Sequence, residues 1–292
     1  MKEGGAWMNE LLIRALQRTR LLNAFNLVLT LRAGGRRIRV PFVRGVALAG
    51  IEEPWMFGLV TYFLGRTSGA FVDVGVNVGQ TLVQVKRVDP ARRYVGFEPN
   101  PTCVAYVHEL IRINRFESCT IIPAALHCED RVLHLDLYHP YLADGTASVV
   151  DGFRTQRPVV NRICVAAYRY ATVAASLPPF GIGVIKIDVE GAELDVLQGL
   201  QEAVQQHRPV LFIEVLPVYK TENADRLRRQ EALEALLSAW SYVLLRVRKD
   251  GRRFAGLDEV GRIGIHGDLG LCDYVAVPRE TRNDVHAEDI PR

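Results

Sequence analysis

The sequence has few cysteines, and they follow neither a disulfide pattern nor a metal-binding pattern. Five cysteines are spread over 292 residues with no close pairs. A disulfide framework has an even set of cysteines, and a structural zinc site has closely spaced pairs. The sequence therefore indicates neither framework, and a reducing, cytoplasmic location is expected.

Long apolar runs and an excess of one charge are also missing. No run reaches the roughly 18 apolar residues of a membrane-spanning helix, and Met1-Lys2-Glu3-Gly4 does not open a signal peptide. The 36 Lys and Arg residues nearly balance the 33 Asp and Glu residues, for a net charge of +3. We therefore expect no transmembrane segment and no nucleic-acid partner.

The composition instead predicts a chain with a large buried core, since 49% of its residues are hydrophobic. We divide it into an N-terminal extension of a helix and a strand pair (1–65), a main domain (66–280) and a C-terminal tail (281–292). In the extension, Asn9–Leu31 is predicted to be an amphipathic helix that packs on the domain, with a membrane surface or a partner as the alternative. Arg36–Arg44 is predicted to be the strand pair.

Strands and helices alternate through the main domain, which predicts an α/β fold with a mostly parallel sheet. Ala70–Val74 is a continuous apolar strand, and Pro101–Asn114 is a helix that opens with proline. The alternation breaks between Glu129 and Ala166, where we expect a β-hairpin insertion that pairs Val132–Tyr138 with Ser148–Val150. The last two strands have no helix between them and are predicted to be antiparallel.

The most informative stretch, Phe71 to Thr81, is a buried strand that runs into a glycine-bearing turn and a helix. Ligands of parallel sheets collect at such turns, because the strands end there. Gly75 and Gly79 let the backbone approach a ligand closely, and Asp73 needs a specific partner in its apolar strand. Taken alone, this turn is equally compatible with glycines that serve only packing.

Glu98 makes a ligand site the better interpretation, because it closes the next strand, roughly 20 residues beyond the loop. A carboxylate in that position can accept hydrogen bonds from both hydroxyls of a ribose. A dinucleotide enzyme would need Gly-x-Gly-x-x-Gly to hold the pyrophosphate, but this chain has Gly-x-Asn-x-Gly, with Asn77 in the place of the second glycine. The pattern therefore predicts an adenosine-containing ligand without a phosphate.

Four segments together resemble the FkbM family of class I methyltransferases: FVDVGVNVGQ, GFEPNP, IKIDVEGAELDVLQGL and RPVLFIEV. The resemblance extends from about Glu53 to Val277. It implies a Rossmann-like fold with a mostly parallel seven-stranded sheet and an antiparallel last strand. It also implies that the main domain binds S-adenosylmethionine, whose sulfonium and ammonium groups suit nearby carboxylate and carbonyl oxygens.

The resemblance also implies which residues bind this cofactor. On the methionine side it places Asp73, Gly75, Asn77 and Gly79, and on the ribose and adenine side Glu98 and Asn100. Thr81, which follows the loop, and Ala125, which ends the third strand, complete the expected set. The segment Asp144–Ser148 resembles the family's small-residue turn, whereas Ala167-Tyr168-Arg169 departs from the usual Thr-Leu-Asp.

A second group of charged residues lies at the junction of a strand and a helix, in Lys186–Glu193. By strand alternation Lys186, Asp188 and Glu190 share one face, and Glu214 ends the next strand. One carboxylate is predicted to be the base that removes a proton from the acceptor, with His139 in the insertion as the next candidate. The alternatives are a structural ion pair with Lys186 or a magnesium site.

The resemblance implies an O-methyltransferase that acts on a hydroxyl group of a sugar or secondary metabolite. Two alternatives stay open, an N-methyltransferase of a small molecule or peptide and a non-catalytic scaffold that binds the cofactor. The expected partner is a small-molecule or sugar acceptor, and homo-oligomer formation stays open.

Overall fold

The computed structural model describes residues 28–33, 36–43, 46–48, 54–139, 143–154 and 156–285. The helix predicted for Asn9–Leu31 lies mostly outside these residues, but its last four residues belong to a strand, Val28–Ala33. The strand pair predicted within Arg36–Arg44 is a single strand, Arg36–Val43, which pairs with Val28–Ala33.

The secondary structure follows the predicted alternation closely. The strands are β1 (Val28–Ala33), β2 (Arg36–Val43), β3 (Val46–Ala47), β4 (Ala70–Val74), β5 (Tyr94–Phe97), β6 (Cys119–Ile122), β7 (Ala125–Leu126), β8 (Arg131–Leu137), β9 (Asn161–Tyr168), β10 (Ile182–Ile187), β11 (Val210–Glu214), β12 (Tyr242–Asp250), β13 (Arg253–Glu259) and β14 (Asp273–Pro278). The α-helices are α1 (Pro54–Leu64), α2 (Gln80–Val88), α3 (Pro101–Asn114), α4 (Tyr170–Ala174), α5 (Glu193–Gly199), α6 (Gln201–His207) and α7 (Ala224–Ala239).

The main sheet has eight strands in the order β13-β12-β14-β11-β10-β4-β5-β6. The five strands from β11 to β6 are parallel, because helices connect them across the faces of the sheet. Strand β14 is antiparallel to both of its neighbours, as predicted for the last strand. The predicted seven strands are joined by an eighth, since β13 folds back on β12 through a turn at Gly251.

Two predictions about the middle of the chain were wrong in detail. The third strand ends early because Pro123 interrupts it, and Ala125–Leu126 pairs instead with β9 in a second sheet. In the insertion, β8 pairs along its whole length with Asn161–Tyr168 and not with Ser148–Val150. Ser148 forms only an isolated bridge to Asp136.

The apolar core lies on both faces of the main sheet. On one face, α1, α2 and α3 bury side chains such as Phe63 and Leu82 against Phe71. On the other face, α5, α6 and α7 bury Leu197 and Leu233. Among the described residues, no helix has both the length and the apolar character needed to cross a membrane.

Lys86 is an exception to the apolar character of this core. It lies on α2 and is only 2% exposed. Its Nζ donates to three backbone carbonyls, those of Arg92 (2.6 Å), Glu117 (2.6 Å) and Pro90 (3.2 Å). A buried ammonium is stable only when its protons are satisfied. Lys86 thereby connects α2 to the loops that precede β5 and β6.

Replacing Lys86 by Met should therefore lower the free energy of unfolding by about 3 kcal/mol, because it leaves buried carbonyls without a donor. Urea unfolding followed by circular dichroism measures this loss. Lys220→Met is the matched control, since Lys220 is exposed. Equal stabilities of the two variants would contradict this structural role for Lys86.

Candidate functional site

The loop that follows β4 passes very close to the end of β10. Gly75, Asn77 and Gly79 all have positive φ angles, of 90°, 51° and 86°. A Cβ atom on Gly75 would lie 1.9 Å from the carbonyl oxygen of Asp188. Glycine is required at this position because two backbone segments meet there. Part of its role is therefore structural, whatever ligand the loop contacts.

The side chain of Asp73 lies in the core and not in a pocket. Its side chain is fully buried, accepts a hydrogen bond from the hydroxyl group of Tyr94 and lies 3.4 Å from Nζ of Lys186. Burial raises the pKa of Asp73, and the charge of Lys186 acts against that rise. The residue thus joins β4, β5 and β10, and its predicted cofactor contact stays a prediction.

Glu98 holds the loop from the opposite side. One of its oxygens accepts the backbone N–H of Asn77 at 2.7 Å, and the other accepts that of Asn100 at 2.8 Å. Burial raises the pKa of Glu98 to about 7, although both hydrogen bonds act in the other direction. The carboxyl group also lines a pocket, so its protonation depends on what enters there.

The first pocket lies between this loop, the end of β5 and the insertion. Glu98, Ala125, Asp188 and Glu190 line it together with Asp144 and Gly145. The insertion is fixed to the β10 end, because the Ser148 hydroxyl donates to the Glu190 carbonyl at 2.7 Å. Apolar side chains from the core and from the insertion form its remaining wall, among them Leu126, Leu135, Val149 and Val196.

The second pocket lies on the other side of the loop, over the ends of β10, β11 and β14. Its polar lining includes Thr81, Lys186, Asp188, Glu214, Lys249 and Asp273. Lys249 forms an ion pair with Asp273 and lies 4.1 Å from the ring centroid of Trp55. The two pockets share Gly75, Asn77 and Asp188, so these residues form the boundary between them.

Asp188 and Glu214 form a carboxyl pair in the second pocket. The negative charge of Asp188, together with burial, raises the pKa of Glu214 well above its usual range. Burial opposes the charge of Asp188, but Lys186 at 3.1 Å and a hydrogen bond from Glu214 hold its pKa below the usual range. From these opposite shifts we infer that the pair shares one proton, held by Glu214, and that Asp188 is ionised. Asp188 keeps access to the pocket, with 36% of its side chain exposed.

Lys186 pairs with Asp188 as the structural alternative proposed, and with Asp73 as well. Burial acts against its charge, but the two carboxylates outweigh it and raise the pKa of Lys186 above the usual value. Glu190 does not join this group. Its side chain lies 2.5 Å from Arg154 of the insertion, and burial raises its pKa to about 7. The carboxylates that the magnesium hypothesis requires are thus engaged with other partners.

The remaining predicted residues take supporting positions. Gly79 precedes α2 and packs against Leu110 of α3. Asn100 caps α3, where its side chain accepts the backbone N–H of Thr102 at 3.0 Å. Glu193 accepts the N–H of Gly191 at 2.7 Å and thereby holds the turn before α5. His139 is exposed and lines neither pocket.

Sequence reasoning missed Tyr94, Arg154 and the pair Lys249–Asp273. A local signal could have found Tyr94, because β4 and β5 are consecutive parallel strands. Tyr94 lies two residues before Gly96, the residue opposite Asp73, and so on the same face of β5 as Gly96. The other three come from distant segments, and nothing in their local sequence connects them to the site.

Comparisons with known proteins identify a matching family and more distant relatives. The family described as "Methyltransferase FkbM domain" matches residues 73–244. A curated relative, "Methyltransferase 1" of Beauveria bassiana (strain ARSEF 2860), is 25% identical over 144 residues, which cover 45% of this chain and 58% of the relative. The chain thus spans little more than half the length of that relative.

Solved structures of methyltransferases are more distant. Methyltransferase FkbM from Methylobacillus flagellatus KT is 18% identical with a TM-score of 0.43, and the alignment covers 71% of this chain and 43% of that chain. The O-methyltransferase from Bacillus cereus, solved in complex with SAH, is 12% identical with a TM-score of 0.45, covering 79% and 82%.

The family match begins at Asp73 and ends in β12, and so includes Glu98, Asp188, Glu190 and Glu214. It covers more than half of the chain and confirms the resemblance of the sequence motifs. The chain therefore belongs to the FkbM methyltransferase family.

Proposed function

We propose that this chain transfers a methyl group from S-adenosylmethionine to a hydroxyl group of a small acceptor, such as a sugar or secondary metabolite. The observation that carries the proposal is the pair of pockets that meet at Gly75, Asn77 and Asp188. One pocket suits an adenosine group and the other a polar acceptor. An ionised carboxylate lies where they meet.

The first pocket has the chemistry that an adenosine group requires. Glu98 offers carboxylate oxygens to the ribose hydroxyls, and an apolar wall that includes Leu126 and Val149 suits the adenine ring. When bound, S-adenosylmethionine supplies a methyl group on a positively charged sulfur. Asp188 stabilises such a charge because its own carboxylate is ionised and faces both pockets.

Among the candidate bases, Asp188 fits the acceptor step best. A neutral alcohol is a weak nucleophile, and its proton becomes strongly acidic as the oxygen acquires the methyl group. A carboxylate with a low pKa is sufficient to take that proton. Glu214 already carries a proton, and Glu190 is held by Arg154. His139 lies outside both pockets, so Asp188 is assigned as the base and Lys186 as its positioning residue.

Glu98→Gln should weaken S-adenosylmethionine binding on the order of 10- to 100-fold, because the ribose hydroxyls lose a charged acceptor. In the wild-type chain the affinity should also rise between about pH 6 and about pH 8. Glu98 has a pKa of about 7, and hydroxyl donors favour its ionised form. Titration calorimetry at several pH values measures both effects.

The exposed residue Glu222 provides the matched control, Glu222→Gln. It should bind like the wild-type chain at every pH. If Glu98→Gln, with an unchanged melting temperature, binds normally and keeps the pH dependence, then Glu98 is not the ribose ligand.

Asp188→Asn should lower turnover by roughly 10²- to 10⁴-fold, the usual scale for loss of a general base. Glu214→Gln should keep turnover within about tenfold, because the amide still donates a hydrogen bond to Asp188. Formation of S-adenosylhomocysteine with a panel of hydroxylated acceptors measures both. Wild-type turnover of a folded Asp188→Asn variant would remove this residue from the mechanism. A chain that binds the donor but turns over no acceptor would favour the scaffold alternative.

The shared proton predicts a specific effect of pH on stability. Unfolded Glu214 loses its proton near its ordinary pKa, whereas the folded chain keeps it. The unfolded state thus binds fewer protons, and the contribution of Glu214 to stability falls as pH rises from about 4.5. Glu214→Gln removes this loss. The free energy of unfolding of Glu214→Gln, relative to that of the wild type, should therefore increase between about pH 5.5 and about pH 8.5. Urea titrations at several pH values measure this difference. A difference that stays constant with pH would contradict the shared proton.

A further inference from the structure

A group of metal-ligating side chains outside both pockets has no role in the proposed reaction. His127, Cys128 and Asp195 each offer one ligand atom, and these three atoms lie within 4.8 Å of one another. In the described part of the chain, no other trio of His, Cys, Asp or Glu side chains is so close. All three are partly exposed, so an ion from solvent can reach them.

The backbone that carries these residues is held closely. The N–H of His127 donates to the carbonyl of Tyr168 at 2.9 Å. A Cβ atom on Gly199 would lie 2.2 Å from the carbonyl oxygen of His127, so helix α5 packs directly against the turn after β7. Asp195 lies one helical turn before Gly199 and therefore on the same face of α5. The packing of α5 thus places the Asp195 carboxylate over Cys128.

We propose that His127, Cys128 and Asp195 bind a zinc ion that joins the turn after β7 to helix α5. Imidazole, thiolate and carboxylate ligands together favour zinc, with a water molecule as the fourth ligand. Zinc holds its ligand atoms about 3.5 Å apart. The three side chains therefore need to rotate inward by about 1 Å, and the backbone stays in place.

The present contacts of these side chains are compatible with an ion. Arg229 donates to Oδ2 of Asp195, which leaves Oδ1 available to a metal ion. Nδ1 of His127 lies 3.6 Å from the sulfur of Cys128 and accepts the N–H of Glu129 at 3.1 Å. Glu129 is exposed, so its N–H can donate to water when the imidazole binds metal. Cys128 releases its thiol proton to solvent on binding.

Cobalt(II) tests the site directly, because a cobalt–thiolate bond has a charge-transfer absorption in the near ultraviolet. Titration of the purified, metal-free chain should produce this absorption and reach its plateau at one ion per chain. Zinc should then abolish it. Cys128→Ser should lack the absorption, whereas Cys164→Ser should keep it, because Cys164 is exposed, lies on β9 opposite His134 and is not one of the three ligands. Asp195→Asn should weaken zinc binding on the order of tenfold.

A second measurement needs no variant. Zinc should protect Cys128 of the wild-type chain from alkylation by iodoacetamide, while Cys164 reacts at an unchanged rate, as mapped by mass spectrometry. The proposal is overturned if saturating cobalt gives no thiolate absorption, if the absorption persists in Cys128→Ser, or if zinc leaves alkylation of Cys128 unchanged.

Discussion

The charges of Asp73 and Lys186, which are buried, and of Asp188, which is partly exposed, determine the geometry of the whole site. Lys186 lies between the two carboxylates, at 3.4 Å and 3.1 Å, where the central strands β4 and β10 end. An unpaired charge at this depth would cost roughly 3–5 kcal/mol. The two strand ends must therefore stay in register, and both the loop after β4 and the pockets on either side of it depend on that register.

The same charges give each carboxyl group a different state. One lysine cannot balance Asp73, Asp188 and Glu214 together, so the negative charge stays on Asp188, beside Lys186 and open to solvent, and Glu214 keeps its proton. Glu190 finds its counter-charge in Arg154, on a separate segment. The four acidic residues thus differ in state and partner. Asp188 pairs with Lys186 and lines both pockets, Asp73 pairs with Lys186 in the core, Glu190 pairs with Arg154, and Glu214 keeps its proton.

Local sequence signals predicted the individual strands and helices well, but they did not predict which distant segments pair with one another. Ala70–Val74 and Pro101–Asn114 were predicted to the residue, because apolar runs and a proline at a helix start are local features. The partner of β8 was not, since β8 and β9 are joined by a long segment and their pairing depends on contacts across it. In the site, alternation placed Asp188 beside Lys186, and the order of the strands placed Glu214 beside Asp188. It could not show that Asp73 faces the core or that Arg154 holds Glu190.

Gly75 shows why packing and ligand binding cannot be separated at this site. The loop can pass the Asp188 carbonyl only without a side chain at Gly75, and this close passage is what lets Asp188 line both pockets. A larger residue would push the loop away from β10 and increase the distance between Asp188 and the Asn77 backbone that Glu98 holds. The glycine therefore shapes both pockets through the close backbone approach that it permits. Any reaction between the two pockets depends on this one close approach.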